Sequence, residues 1–293
     1  MSRIGVVKTC KLYIGGSYPR SESGRTVPVA DPQGRVVAHA ARASRKDLRD
    51  AVEAAAKAAD GWASATPYLR GQILYRVAEF MEARREELVE SIRVVEGSTA
   101  GAARKEVERS IDRMVSFAGW TDKMPSLLGG QCAVAGPFYV MSVIEPIGVA
   151  ATVAPPAPSL LGLVTALAPP LAAGNAVVAL ASEANPLPGV VLSEILGVSD
   201  VPAGVANVLT GGVGELVPAM ASHRQIGVLG AIGLPAEVAT AAGEAAAESL
   251  KRLRLVDVPV ERSGLDDHDR WTDLDAIRPW IEVKAIWHPT SIA

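Results

Sequence analysis

Through the middle of the chain, short apolar runs alternate with helix-length segments, and no other feature narrows the fold as far. Residues 138–145, 147–153, 176–180, 205–209 and 226–229 read as strands. Helices are expected over about 159–173, over 185–196 behind Pro186, and over 214–222. Parallel strands need crossover connections, so this alternation predicts a parallel sheet wound with helices. At 293 residues, 49% hydrophobic and 21% charged, the chain can bury the core of one large domain or two small ones.

Several classes of function are disfavoured by the same residues. The most apolar stretch, 147–180, is broken by Pro155, Pro156, Pro158, Pro169 and Pro170, which a single membrane helix tolerates poorly, so no membrane span is expected. A net charge of −3, an aromatic content of 4% and the lack of a dense basic stripe argue against nucleic-acid binding. Cys10 and Cys132 are too few for a disulfide framework, and His39, His223, His268 and His288 lack ligand spacing, so no metal site is expected. Residues 1–16 carry Arg3, Lys8 and Lys11 through a short apolar stretch and make no convincing signal peptide, so a cytoplasmic chain is expected.

The first third is helical. Ser44-Arg-Lys-Asp47 is a capping-box start for a helix reaching about Ala59. Thr66-Pro67 opens a second, on which Ile73, Leu74, Val77, Phe80, Met81, Leu88, Ile92 and Val95 keep helical spacing until Gly97. A third, 100–123, sets Val107, Ile111, Met114 and Val115 opposite a charged face. Beyond Ala247, residues 250–260 mix charge with β-branched side chains, and 261–273 read as an exposed acidic linker. Ile281-Glu-Val-Lys-Ala-Ile-Trp287 then alternates, placing Ile281, Val283, Ala285 and Trp287 on one face of a half-buried strand.

In this order, several motifs resemble the aldehyde dehydrogenase superfamily. They include Leu12-Tyr-Ile-Gly-Gly16 and Val29-Ala-Asp-Pro32, similar to the family's N-terminal hairpin, and Lys46-Asp-Leu-Arg-Asp-Ala51 with Trp62, similar to its first helix. The most specific are Glu145-Pro-Ile-Gly-Val149, Pro169-Pro-Leu-Ala-Ala-Gly-Asn-Ala-Val177, Ser182-Glu183 and Pro202-Ala-Gly-Val-Ala-Asn-Val-Leu-Thr-Gly211. The resemblance covers about residues 10–256, and Trp280-Ile-Glu-Val-Lys284 resembles the last strand of a full-length member. It implies an α/β fold, the Rossmann-like doubly wound sheet of the family's nucleotide-binding domain, with a small β oligomerisation arm. The expected division is 1–130 and 147–260 for the nucleotide-type domain, 131–146 and 274–293 for the arm, and 261–273 as a linker where the family has its catalytic domain.

The resemblance also implies a truncated pseudoenzyme. In the family a cysteine thiolate attacks the aldehyde, and neither Cys10 nor Cys132 falls at its place. The oxyanion-hole asparagine aligns with Ala157, in Pro155-Pro-Ala-Pro-Ser159, and the general-base glutamate aligns with Val256. Both catalytic positions read as vacant. The ribose-binding lysine aligns with Leu180, and the Gly-Ser-Thr turn with Gly230-Ala-Ile232, inside the glycine-spaced run 227–233. Glu183 and Gly230 are the candidate cofactor contacts and read as vestigial, so no cofactor is expected, with residual NAD(P) binding as the alternative.

Loss of the catalytic domain leaves the face that packs against it exposed, and a large apolar patch seldom stays bare. The arm residues are Phe138, Val140, Ile281, Val283, Ala285 and Trp287. With the arm kept and its acceptor lost, the expected partner is a full-length aldehyde dehydrogenase, which this chain would stabilise or regulate in a hetero-oligomer. Self-association, a nucleotide-binding sensor or scaffold, and a residual dehydrogenase are the competing readings.

Overall fold

The computed structural model describes residues 6–249, 251–257 and 262–290. Strands β1 (Lys8–Cys10), β2 (Thr26–Ala30) and β3 (Val36–Ala41) come first. Five helices follow: α1 (Arg45–Ser64), α2 (Pro67–Ala83), α3 (Arg85–Glu96), α4 (Ala100–Trp120) and α5 (Met124–Leu128). A hairpin of β4 (Gly130–Cys132) and β5 (Phe138–Pro146) leads into β6 (Val149–Val153), α6 (Ser159–Ala172), β7 (Ala176–Leu180), α7 (Leu187–Leu196) and β8 (Ala206–Leu209). After α8 (Val213–Ser222), β9 (Val228–Ile232), α9 (Ala236–Ala247) and β10 (Arg252–Val256), the tail holds α10 (His268–Thr272) and β11 (Ile281–Pro289).

The central sheet is parallel, in the order β10-β9-β6-β7-β8, so its winding reverses between β6 and β9. Every residue of β6, β7, β8 and β9 is buried. Burial on both faces explains why these strands are apolar runs rather than alternating ones. One face packs against α2, α3, α4, α6 and α7, and the other against α1, α8 and α9.

Local chemistry sets the helix ends. The Ser44 hydroxyl accepts from the Lys46 and Asp47 amides, and the Asp47 carboxylate accepts from the Ser44 amide at 2.8 Å, completing the capping box. α1 runs past Ala59 to Ser64 because buried Trp62 donates to the Leu171 carbonyl, and because Arg70 donates to the carbonyls of Ala63 and Ala65. The C-terminal carbonyls of a 20-residue helix thereby accept from a buried guanidinium.

The single helix expected from Thr66 to Gly97 is two. Arg84 breaks it at φ −105°, ψ 22°, and its guanidinium pairs with Glu87 and with Glu194 of α7. The break lets α3 lie along α7 while α2 packs on α4. α4 is rotated from its expected face: Val107 and Met114 are buried, but Val115 is 37% exposed and Ile111 half-buried. The buried stripe carries Glu106 and Arg113, because both bond to α6, to the Leu160 and Leu161 amides and to the Thr165 hydroxyl respectively.

At the N-terminus, Cys10 lies in β1, and the hairpin is β2–β3. Leu12-Tyr-Ile-Gly-Gly16 instead crosses the edge of the main sheet, where Tyr13 and Val208 exchange backbone hydrogen bonds. α9 has no counterpart in the sequence reading, since its alanine-rich faces give little amphipathic contrast. The stretch 261–273 is not an exposed linker over its described residues. Leu265 and Trp271 are buried against Leu161, Ala166 and Ile232, two apolar anchors hidden by the acidic average around them.

Lys251 closes the end of α8 by donating to the carbonyls of His223 and Ile226. Partial burial pushes its ammonium down to about 8 from an ordinary value of 10.5. Between those values the unfolded chain holds more protons than the folded one, so this group adds stability as pH rises through that window. Urea midpoints measured from pH 7.5 to 10 should therefore rise more, or fall less, for the native chain than for Lys251→Met. The difference stays modest, since the group is half in water.

Candidate functional site

In an open α/β sheet, ligands bind beyond the carboxyl ends of the strands at the point where the winding reverses. Here that point lies past Val153 of β6 and Ile232 of β9. Ala157 sits half-buried in the turn from β6 to α6, and its methyl group offers no hydrogen-bond donor. The N-terminus of α6 is the natural seat for a developing negative charge. It is already filled, because Glu106 Oε1 accepts from the Leu160 amide at 2.9 Å and the Leu161 amide at 3.3 Å.

Val256 ends β10 opposite Ile232 and packs on the cluster of Leu161, Ala166, Ile232, Leu265 and Trp271. The space left beside it, bounded also by Thr165, Gly230 and Trp280, is about 10 Å³, at most the room for one water. Cys10 is buried, and burial raises its thiol above the ordinary value against the opposing pull of Lys8, which disfavours the thiolate. Cys132 ends β4 in the arm. Leu180 is fully buried at the end of β7.

Glu183 is exposed, and its Oε2 accepts from the Val213 amide at 2.9 Å, at the first turn of α8. It serves as a helix cap beside the Arg42–Glu215 ion pair. The adjoining cleft, lined by Arg42, Glu183, Thr210 and Gly212, encloses about 150 Å³, below the usual size of a ligand pocket. Gly230 stands in a strand rather than in a turn. It lies within β9, and a Cβ there would come within 2.4 Å of the Trp280 ring, so the glycine makes room for an indole. Glu183 and Gly230 stand in separate places, and each already has a partner within the chain.

The arm is a three-stranded antiparallel sheet, β11-β5-β4. Its register sets Ile281, Val283, Ala285 and Trp287 opposite Pro146, Ile144, Ser142 and Val140, so all six expected arm residues share one face. Phe138 packs edge-on against Trp287 at 5.7 Å between ring centres. The strand is not half-buried as expected: Ile281 is covered, but Val283 is 59% and Trp287 57% exposed. Val140, opposite Trp287 on the same face, is covered. The other face carries Tyr139, Met141, Ile286 and a Lys284–Glu145 pair, in which Glu145 holds the Lys284 ammonium above its ordinary value.

Two residues that the sequence reading did not single out hold the root of the arm. Asn175, fully buried, accepts from the Ile147 and Gly148 amides with Oδ1 and donates through Nδ2 to the carbonyls of Trp280 and Pro170. Arg252 donates to the Ile281 carbonyl and pairs with Glu282, both at 3.0 Å. Asn175 lies within the Pro169–Val177 motif, but only the fold reveals that one amide ties both arm strands to the domain.

Among the described residues, no helix is long and apolar enough to cross a membrane, and no group of three or more His, Cys, Asp or Glu is placed to hold a metal. The model of the aldehyde dehydrogenase family matches residues 18–256. The mitochondrial benzaldehyde dehydrogenase of Antirrhinum majus is 30% identical over 262 residues, which are 87% of this chain and 47% of that protein. The crystal structure of PnpE from Pseudomonas sp. WBC-3 superimposes with a TM-score of 0.80 at 29% identity, over 84% of this chain and 50% of that one. Indole-3-acetaldehyde dehydrogenase in its apo form gives 0.79 at 27% identity, over 84% and 57%. The chain spans about half the length of the curated relatives it matches. With its doubly wound parallel sheet and a matched region filling most of its length, the chain belongs to the aldehyde dehydrogenase family.

Proposed function

We propose that this chain is a non-catalytic aldehyde dehydrogenase-like subunit that assembles with a full-length aldehyde dehydrogenase and stabilises or regulates it. The observation that carries the proposal is the arm: a nine-residue strand in full register with β5, bearing exposed Val283 and Trp287 on one face. Apolar side chains displayed on a two-sided sheet suit a partner that covers them, and a free strand edge suits the addition of a partner's strand. The vacant chemistry agrees. Aldehyde oxidation through a thiohemiacetal needs a thiolate, a donor for the oxyanion and a base, and the aligned positions offer Ala157 and Val256. Residues of the tail fill the space beside Val256.

The test is mass photometry of the chain co-expressed with a full-length aldehyde dehydrogenase from the same cell, beside each protein alone. A discrete mixed complex that disappears when residues 281–287 are deleted is the expected result. Separate species, with this chain forming a stable oligomer by itself, would replace the proposal with self-assembly for that partner. Aldehyde-dependent NADH formation by the pure chain would overturn its non-catalytic part.

A further inference from the structure

The sheet face over β9 and β10, beside α6, is closed by the chain's own tail rather than by a helix following a strand. Leu265, Trp271, Ala276, Ile277, Trp280 and Ile281 are all at least nine-tenths buried there. The domain also grips the backbone of this segment. Arg113 donates to the Leu265 carbonyl at 2.9 Å, Trp120 to that of Thr272 at 2.5 Å, and Arg254 to that of Ala276 at 3.5 Å. Asn175 donates to the Trp280 carbonyl at 2.8 Å, and Trp271 fastens the segment to itself through the Gly264 carbonyl at 2.7 Å.

From these contacts we infer that residues 264–280 are a strap whose closure over the sheet sets the arm, so that opening the strap releases the arm. The coupling is short. Trp280 seals the strand at Gly230, and the next residue begins β11. The amide that holds the Trp280 carbonyl also holds Ile147 and Gly148, where β5 passes into β6, and Arg252 of β10 holds the Ile281 carbonyl. Both arm strands are therefore anchored within a few residues of the indole. Two arrangements of one strap would bias two places in the molecule, and such a bias is reciprocal: a partner that fixes the arm also tightens the strap. The consequence for assembly rests on the proposed subunit role, whereas the coupling itself is a property of the isolated chain.

Gly230→Ala in the full chain tests it. The strand backbone at Gly230 suits alanine, but its methyl group would sit 2.4 Å from the Trp280 ring, so the ring must leave. Amide hydrogen exchange read by mass spectrometry should accelerate by about tenfold or more over both 265–280 and the paired residues of β5 and β11, while β6, β7 and β8 keep their protection. Gly243→Ala, where an added Cβ meets nothing within 4 Å, is the control and should leave the strap unchanged. If Gly230→Ala does not fold, Trp280→Ala opens the strap without crowding the strand. A loosened strap with a fully protected arm would overturn the coupling, and so would an unchanged strap. Should no mixed complex form with any full-length enzyme, the assembly role fails, yet exchange in the isolated chain still decides the strap.

Discussion

Replacing Asn175 with alanine is expected to destabilise the chain by about 3 kcal/mol or more, through orphaned backbone groups rather than lost apolar contact. The side chain is fully buried and satisfies two amides and two carbonyls. The Pro170 carbonyl keeps the backbone amide of residue 175, but the Ile147 and Gly148 amides and the Trp280 carbonyl lose their partner; each buried polar group left so costs about 1–3 kcal/mol, and water entering the small cavity would recover only part of that. Asn175→Asp separates the donor side from the acceptor side. It keeps the acceptor for Ile147 and Gly148 but turns a charged oxygen toward the carbonyls of Pro170 and Trp280, and should be nearly as harmful. Urea unfolding of the three proteins with unchanged slope would measure both losses. A loss below about 1 kcal/mol for Asn175→Ala would mean that the arm root is held by something other than this amide.

Arg113 makes the second large prediction, and the choice of substitute decides its size. The guanidinium is buried and reaches the Thr165 hydroxyl and the Leu265 carbonyl. Burial, reinforced by the neighbouring Arg109 cation, holds it down at about 10 in spite of Asp266 and Asp267. Arg113→Ala removes the bonds and leaves a cavity, and should cost about 3–4 kcal/mol. Arg113→Met removes the same bonds but also a poorly solvated charge, while keeping most of the volume. Its cost should stay below about 1.5 kcal/mol. Equal losses for the two variants would mean that the hydrogen bonds to α6 and the tail outweigh both packing and desolvation.

Legibility from sequence followed the physics of each element. The parallel strands could be read because burial on both faces leaves an unbroken apolar run, as at Ala176–Leu180, and α1 because Ser44 and Asp47 announce its start. Elements whose identity depends on a distant partner could not be read. The α4 stripe was misplaced because Glu106 and Arg113 are polar residues buried to serve α6, and nothing local distinguishes them from solvated charges. Leu265 and Trp271 vanished into an acidic stretch whose mean composition says exposed, although two anchors suffice to dock it.

At the candidate site, Ala157 and Val256 were found by alignment, and the structure adds what surrounds them: a carboxylate capping α6 and an apolar cluster around Val256. Gly230, a vestigial cofactor contact by resemblance, lies within a strand, where a glycine can equally admit an indole. The arm face was legible because period-two alternation survives without a core. Its exposure was not, since alternation says which side chains share a face and nothing about what covers that face.

The join between Trp280 and β11 contains no spare residue, and that limits how such a gene can drift. Substitutions along the tail should be tolerated wherever the anchors survive, but a single-codon insertion directly after Trp280, or loss of Ile281, would turn the strand over. Glu282, Lys284, Ile286 and His288 would then occupy the face now held by Ile281, Val283, Ala285 and Trp287. Lineages descending from this chain should therefore vary in the composition of the arm long before they vary in its length.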